Sequence, residues 1–326
     1  GTSTMLNCDT YLTPASLDEA FAFMDQYRGG RYRLVAGCTD VVPWARPARA
    51  GDVHYPALID LTRVAELNGV ELRGGRVHLG ANTTFQQFLE DAFLLRQLPV
   101  MRHCAAWFAD DQIRRQATLG GNLVNASPAA DGAPPMLAMD SSVVLASRKD
   151  GARRQRTLPL SEFVIGPAET RLEEGEVLTA VECDSTHEYG GAFKKVGHRR
   201  SLVISVACAA ILVKVDETRR RFADARVALG GIGPVPVRAL EIEQYLTGQP
   251  VALEVIESAA SLSTSRVQSR TRQDYRREVT RGFIVEAIVE ALGDIGVEVD
   301  GSGEPARVSP APGGVGREPR GIRGDR

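Results

Sequence analysis

Apolar residues in this chain fall into short blocks whose period switches between helix-like and strand-like. Leu17, Ala20, Phe21, Met24 and Tyr27 recur at helical spacing. The SLDE stretch at residues 16–19 is a capping box, with a serine to accept the first free amide and a glutamate three residues on to reach back. Gly29-Gly30 stops that helix, and residues 32–36 and 57–61 read as strands. Residues 70–79 hold two short alternating runs around Gly74-Gly75, which is a hairpin pattern. Thr83 or Thr84 is placed to cap a helix carrying Phe85, Phe88 and Leu89, and residues 95–108 predict a second, more apolar helix. Residues 136–138 and 142–145 read as buried helix and strand segments, 161–163 as the opening of a connection, and 177–183 as a strand.

The polar, glycine-bearing stretch 184–191 marks a domain boundary. Beyond it, residues 202–215 are strongly apolar and rich in β-branched side chains, with 225–229 as a partner strand. Residues 240–245 and 255–260 have helical spacing, and 275–292 predict the longest amphipathic helix of this part. From about residue 300 the chain is rich in Gly, Pro and Arg with almost no large apolar side chain, which predicts a disordered tail. Helices alternating with many short strands predict an α+β or mixed α/β protein rather than one extended parallel sheet.

Length and charge narrow the picture. The 326 residues suffice for two or three domains with a substantial core. Thirty-nine basic side chains against 41 acidic ones leave a net charge of -2, so no strong field for nucleic acid or an anionic membrane follows. No apolar run approaches a bilayer's thickness, and the N-terminal stretch lacks a signal peptide's basic and apolar regions. A soluble cytoplasmic protein is expected, with Gly1 to Thr4 a processed or cloned end. Cys8, Cys38, Cys104, Cys183 and Cys208 show no C-x-x-C spacing and no cluster with the histidines His54, His78, His103, His187 and His198. Scattered reduced thiols are expected, with no zinc, iron–sulfur or other metal site in this chain.

Residues 117–131 (ATLGGNLVNASPAAD) match neither helical nor strand periodicity. Their paired glycines beside a threonine resemble a second turn, VAGCTD at 35–40. Glycine admits positive φ and lets backbone N–H groups approach an anion, and a threonine hydroxyl adds a donor. Two such loops converging would form a neutral, donor-rich cradle for a pyrophosphate. Singly, each reads equally as a tight turn. Neither fits G-x-G-x-x-G or the Walker pattern, so no Rossmann or P-loop site is predicted.

These turns belong to an ordered set: Trp107-Phe108-Ala109, Gln112-Ile113-Arg114, ATLGGN, Ser127-Pro128 and Asp131. With VAGCTDVV, GEVLTAVECD and FKKVGHRRSLVISVA, and more loosely GGIGPVPVRA and YRREVTRGFIVEAI, the chain resembles the FAD-binding subunit or domain of the molybdenum hydroxylases. That family includes xanthine dehydrogenase, carbon monoxide dehydrogenase, and the nicotine, caffeine and isoquinoline oxidoreductases. The resemblance runs from about Tyr11 to Leu292. It implies an α+β, PCMH-type FAD-binding fold of two α/β subdomains, at 5–62 and 63–184. A C-terminal α+β domain with a small antiparallel sheet and helices follows at 185–298, and then the tail at 299–326.

The resemblance also implies roles. Val35, Ala36, Gly37, Cys38, Thr39 and Asp40, with Thr118, Leu119, Gly120, Gly121 and Asn122, would wrap the FAD pyrophosphate and ribityl chain. Asp131 would accept hydrogen bonds from the cofactor, while by its residues alone it equally caps a turn. Phe108 would lie by the isoalloxazine ring and Leu178 would pack against it; both also fit plain core packing. Lys195 would reach the pyrimidine edge and favour the anionic reduced ring, with Lys194 as its competitor and a solvated lysine pair as the plain alternative. Cys38 stands where glycine is commonest and His198 where arginine is frequent, and the extra cysteine cluster of some relatives is missing. No catalytic side chain and no metal ligand is assigned to this chain.

In function, the resemblance implies a medium subunit that takes electrons from the [2Fe-2S] clusters of a small partner and passes them to an external acceptor. Substrate would be hydroxylated on a large molybdopterin subunit, in a dimer of heterotrimers without nucleic acid or a membrane span. A self-contained PCMH-type flavin oxidase or dehydrogenase and a cofactor-free scaffold are the rival readings.

Overall fold

The computed structural model describes residues 7–37, 54–108, 110–127, 130–196, 207–267 and 273–299. The expectations for Cys38, Thr39, Asp40, Ala109, Pro128, His198, residues 202–206 and the tail lie outside them.

Strands β1 (Asn7–Leu12), β2 (Tyr32–Val35) and β3 (His54–Asp60) form a parallel sheet in the order β1-β3-β2. Parallel neighbours need a crossover, and the helix Leu17–Gln26 supplies the one between β1 and β2. The serine half of its capping box forms as expected, the Glu19 N–H donating to Ser16 Oγ at 3.1 Å, while the Glu19 carboxylate reaches one residue further back and accepts the Ala15 N–H at 3.0 Å. Leu17, Ala20, Phe21 and Met24 are buried. Nothing in the hydrophobic pattern points to β1, because its side chains from Cys8 to Leu12 are all at least partly exposed.

Strands β4 (Val70–Arg73) and β5 (Arg76–Gly80) make the expected hairpin. Strands β6 (Ser142–Lys149) and β7 (Ala152–Pro159) make another, and a minor ribbon of β8 (Val164–Gly166) and β9 (Glu169–Thr170) precedes β10 (Val177–Asp184). The larger strands form an antiparallel sheet in the order β4-β5-β10-β6-β7. Central β10 is almost wholly buried, whereas β7, with the arginine-rich sequence ARRQRTLP, is a solvated edge held by backbone pairing to β6.

The helices between β5 and β6 differ from expectation in three places. The helix expected at 95–108 is two helices, Ala92–Gln97 and Pro99–Trp107. Leu98 between them leaves helical geometry (φ -132, ψ 59), since the ring of Pro99 disfavours a helical residue before it. The regular helix is short, Gln87–Glu90, and leaves Phe85 ahead of it, but Thr84 caps the turn that leads into it: its hydroxyl accepts the Gln87 N–H at 3.3 Å and its own N–H donates to Gln87 Oε1 at 2.8 Å. The Thr83 hydroxyl instead donates to the Gly80 carbonyl at 2.7 Å, while Thr84 bridges to Thr118. Residues 117–131, which match neither period, contain the helix Leu119–Asn125. Thr118 caps it, accepting the Gly121 N–H at 3.0 Å, and Ala126 in the left-handed region (φ 46) ends it.

Strands β11 (Gly190–Val196), β12 (Ala207–Val215), β13 (Phe222–Gly230) and β14 (Val237–Arg238) form a third, antiparallel sheet in chain order. On β12, Cys208, Ala210 and Leu212 join the core shared with the first two sheets. Ala209, Ile211 and Val213 point the other way, against the helices Leu240–Leu246, Leu253–Ser261 and Gln273–Asp294. Burial on both faces explains why the strand reads as an unbroken apolar run.

Candidate cofactor-binding site

A cavity of about 500 Å³ opens where β2, the turn after β5, the helix Leu119–Asn125, β10 and the loop at 171–176 meet. Val35, Ala36 and Gly37 line one side and Thr118, Gly120, Gly121 and Asn122 another, so the two glycine turns converge. Gly37 backs onto the main chain at Gln116-Ala117, where any Cβ would collide with the Gln116 carbonyl. Gly120 lies against Ala81, and a Cβ there would sit 2.9 Å from both the Ala81 carbonyl oxygen and its Cβ. The missing side chains thus let one loop close on the next.

The reason for glycine differs from the sequence expectation in two respects. None of Gly37, Gly120 and Gly121 adopts positive φ. The backbone donors are also spent within the protein: Leu119 N–H on Thr83 O at 2.8 Å, Gly120 N–H on Ala81 O at 2.9 Å, and Gly121 N–H on Thr118 Oγ1. On this second turn the Thr118 hydroxyl proton and the Asn122 amide are left to face the cavity, with Asn122 Oδ1 already accepting the Gly132 N–H at 3.0 Å.

Phe108 and Leu178 supply apolar wall. Phe108 stacks on Phe85 at 4.1 Å between centroids and 5° between planes, which fixes the ring and covers one of its faces. Leu119 is fully buried beneath the cavity and does not line it. Asp131 and Lys195 do not line it either. They form a pair with Lys195 Nζ 2.9 and 3.0 Å from the two Asp131 oxygens. Burial pushes the Asp131 carboxyl above its ordinary range, and the Lys195 ammonium opposes that shift. Lys194 points the other way, to Glu286 at 3.2 Å and Glu290 at 2.6 Å on the helix Gln273–Asp294.

Several lining residues carry no sequence signal, among them Tyr32, Asn82, Asn125, Leu172 and Glu174. Tyr32 reads as strand and Glu174 falls between the segments that the pattern assigns, and only the fold brings them to one wall. The donor set fits a flavin dinucleotide, with apolar wall for a flat ring and hydroxyl and amide groups for its hydroxylated chain and phosphates. Among the described residues no His, Cys, Asp and Glu group of three or more is placed to hold a metal, and no helix is long and apolar enough to cross a membrane.

Comparison with known proteins agrees with this geometry. The sequence matches the family described as FAD binding domain in molybdopterin dehydrogenase over residues 5–183. It matches the CO dehydrogenase flavoprotein C-terminal domain over 192–291. The nicotinate dehydrogenase FAD-subunit of Eubacterium barkeri is 30% identical over 295 residues, spanning 86% of this chain and 95% of that protein. The xanthine dehydrogenase FAD-binding subunit of Escherichia coli O157:H7 is 30% identical over 274 residues, spanning 81% and 91%. Carbon monoxide dehydrogenase from Hydrogenophaga pseudoflava contains a chain that superposes with a TM-score of 0.76 at 25% identity, over 90% of this chain and 99% of that one. With a converging glycine-lined cavity and both family domains in order, the chain belongs to the FAD-binding flavoprotein subunits of the molybdenum hydroxylase family.

Proposed function

We propose that this chain holds FAD as the electron-transfer subunit of a three-subunit molybdenum hydroxylase. Electrons would arrive from [2Fe-2S] clusters of a small partner subunit, after hydroxylation on a large molybdopterin subunit, and leave to an external acceptor. The assembly would be a cytoplasmic dimer of heterotrimers. The observation that carries the reading is the convergence of Val35, Ala36 and Gly37 with Thr118, Gly120, Gly121 and Asn122 around one cavity. Bound FAD supplies the exchange between single electrons and electron pairs that such a junction needs.

The chain's own residues would bind and orient. Phe108 and Leu178 offer a flat apolar wall to a ring, and Thr118 and Asn122 offer a hydroxyl and an amide to phosphate and ribityl oxygens. Cys38, Thr39 and Asp40 complete the first loop in this reading. Lys195 and Asp131, paired with each other outside the cavity lining, are given no contact with the ring. No side chain is asked to move a proton.

The purified chain, alone or in complex, should show a flavin absorption spectrum at one FAD per chain. Mixing it with the cluster and molybdenum subunits should restore substrate-dependent electron flow that no pair of subunits supports. A colourless preparation that fails to take up added FAD removes the reading.

A further inference from the structure

A cofactor the size of a dinucleotide has to enter the cavity, so one wall has to give way. Most walls are packed core: Val35, Ala81, Gly120 and Leu178 are all buried. Among the described residues the loop at 171–176 is the most exposed stretch of the lining, with Arg171, Glu173 and Glu174 exposed and Leu172 half-buried. This loop contributes Leu172, Glu173, Glu174 and Glu176 to the cavity.

Both feet of the loop are anchored to the second sheet and its ribbon. The Arg171 N–H donates to the Phe163 carbonyl at 2.9 Å. At the other foot Arg156 grips the Glu176 carboxylate in two-pronged fashion at 2.8 and 2.7 Å, and also donates to the Arg171 carbonyl at 2.7 Å. The middle of the loop meets β2 of the first sheet and the turn before it, and the bonds there are polar. The Gly29 and Gly30 N–H groups donate to Glu174 Oε1 at 2.6 and 3.2 Å, and the Gly175 N–H donates to Tyr32 Oη at 3.0 Å.

The receptor in that turn is built for a carboxylate. Gly29 and Gly30 both take positive φ (82 and 73), which glycine adopts without strain, and their successive amides both reach one carboxylate oxygen. Gly175 also takes positive φ (86) beside it, which lets the loop crest present its amide to the tyrosine. Tyr32 itself lines the cavity, so one side chain touches both the proposed cofactor space and the loop that closes it.

We propose that Glu174 and Tyr32 latch the 171–176 loop across the cavity mouth, and that release of this latch sets the rate at which FAD leaves. Surface elements held by a few exposed polar bonds open more often than packed core, which is the property a gate requires. The inference rests on the proposed FAD site.

The test measures FAD release from the loaded full chain into a large excess of a flavin-trapping protein, followed by flavin fluorescence. The double variant Glu174→Ala/Tyr32→Phe loses all three of these bonds while keeping the aromatic ring. Release should quicken about tenfold, the effect of losing roughly one charge-assisted hydrogen bond's net worth. Glu174→Gln keeps an oxygen for the glycine amides but loses the charge, and its release should fall between wild type and the double variant. The cofactor-free double variant should melt no more than about 2–6 °C below wild type, the shift that the same tenfold-sized loss gives when the bonds close a mouth rather than support the core. Unchanged release from a stoichiometrically loaded double variant overturns the latch and leaves the FAD site standing. So does a drop in the cofactor-free variant's melting temperature well beyond about 6 °C, which would make these bonds a support of the fold. A wild-type chain that takes up no FAD overturns the site itself, a different and separately visible outcome.

Discussion

Gly120 and Gly121 are neighbours in one helix, yet a methyl group on each should fail in different ways. At Gly120 the new Cβ would stand 2.9 Å from the Ala81 carbonyl oxygen and 2.9 Å from the Ala81 Cβ, both well inside ordinary contact. The two backbones are tied there by the Gly120 N–H to Ala81 carbonyl bond, so relief needs a backbone shift. Overpacking of this kind costs about 1–3 kcal/mol, and replacing a helical glycine with alanine returns roughly 1 kcal/mol. With backbone rather than a flexible side chain in the way, the upper end of that cost applies, so Gly120→Ala should lose about 1–2 kcal/mol net and lower the melting temperature of the cofactor-free chain by about 2–8 °C. At Gly121 the only atom a Cβ meets within 4 Å is Thr118 Oγ1 at 3.0 Å, and the residue lines the cavity. Some loss of the threonine cap, about 1 kcal/mol, offsets the gain in helix propensity, so Gly121→Ala should melt within about 2 °C of wild type. Its methyl instead intrudes on the ligand space, and a misfit of about 1–3 kcal/mol weakens FAD binding by roughly 5- to 150-fold. Differential scanning of cofactor-free protein and FAD titration by fluorescence quenching read the two effects separately. Gly121→Ala binding FAD as tightly as wild type would refute the cavity assignment, and an unshifted melt for Gly120→Ala would refute the close approach to Ala81.

Three further outcomes follow from the packing. Lys195→Met leaves the buried Asp131 carboxylate without its counter-charge and should cost about 2–3 kcal/mol near neutral pH. Because burial raises this carboxyl in the folded state, the folded protein holds the proton more tightly, and the deficit should shrink as pH falls through the folded-state pKa. Melting curves of variant and wild type that stay equally far apart on acidification would contradict that. Asp184 accepts from Arg76 Nη1 at 2.8 Å and from Arg226 Nη1 at 2.9 Å, tying the second sheet to the third. Asp184→Asn should lose about 1–2 kcal/mol of stability, read by urea unfolding, and an unchanged midpoint would remove this tie from the account. Burial pushes the thiols of Cys183 and Cys208 up to about 12, and that of Cys104 well up too, so none of the three should react with a disulfide reagent in the native protein. All three should react in guanidinium, and prompt native labelling of Cys104 would show that its burial is wrong.

What could be read from the sequence divides by the distance over which each signal acts. The serine cap at Ser16 and the Gly74-Gly75 hairpin depend on neighbours in the chain, and both form as expected. The β1 strand and the β7 edge depend on distant partners and show no apolar alternation, so the pattern is silent on them. The two lysines are a sharper case. Adjacent residues of a strand face opposite sides, so a one-residue slip exchanges their surroundings. The register settles it: Lys195 lies opposite Cys208, whose face joins the first core, and Lys194 opposite Ala209, whose face meets the C-terminal helices. Accordingly Lys195 finds Asp131 and Lys194 finds Glu286 and Glu290.

The glycine turns show how a local signal can point to the right place for a different physical reason. Bare backbone announces a close approach without saying what approaches. An anion receptor made of main-chain amides would keep them free, as Gly29 and Gly30 keep theirs for the Glu174 carboxylate. The amides of Leu119, Gly120 and Gly121 are instead bonded within the fold. Glycine at 37 and 120 therefore acts by subtraction: it lets the walls meet at the spacing that leaves a cavity between them. Recognition of a ligand from this side then falls to the side chains of Thr118 and Asn122. That assignment makes Thr118→Val, which keeps the shape and removes the hydroxyl, a more searching probe of binding than any change to the glycines.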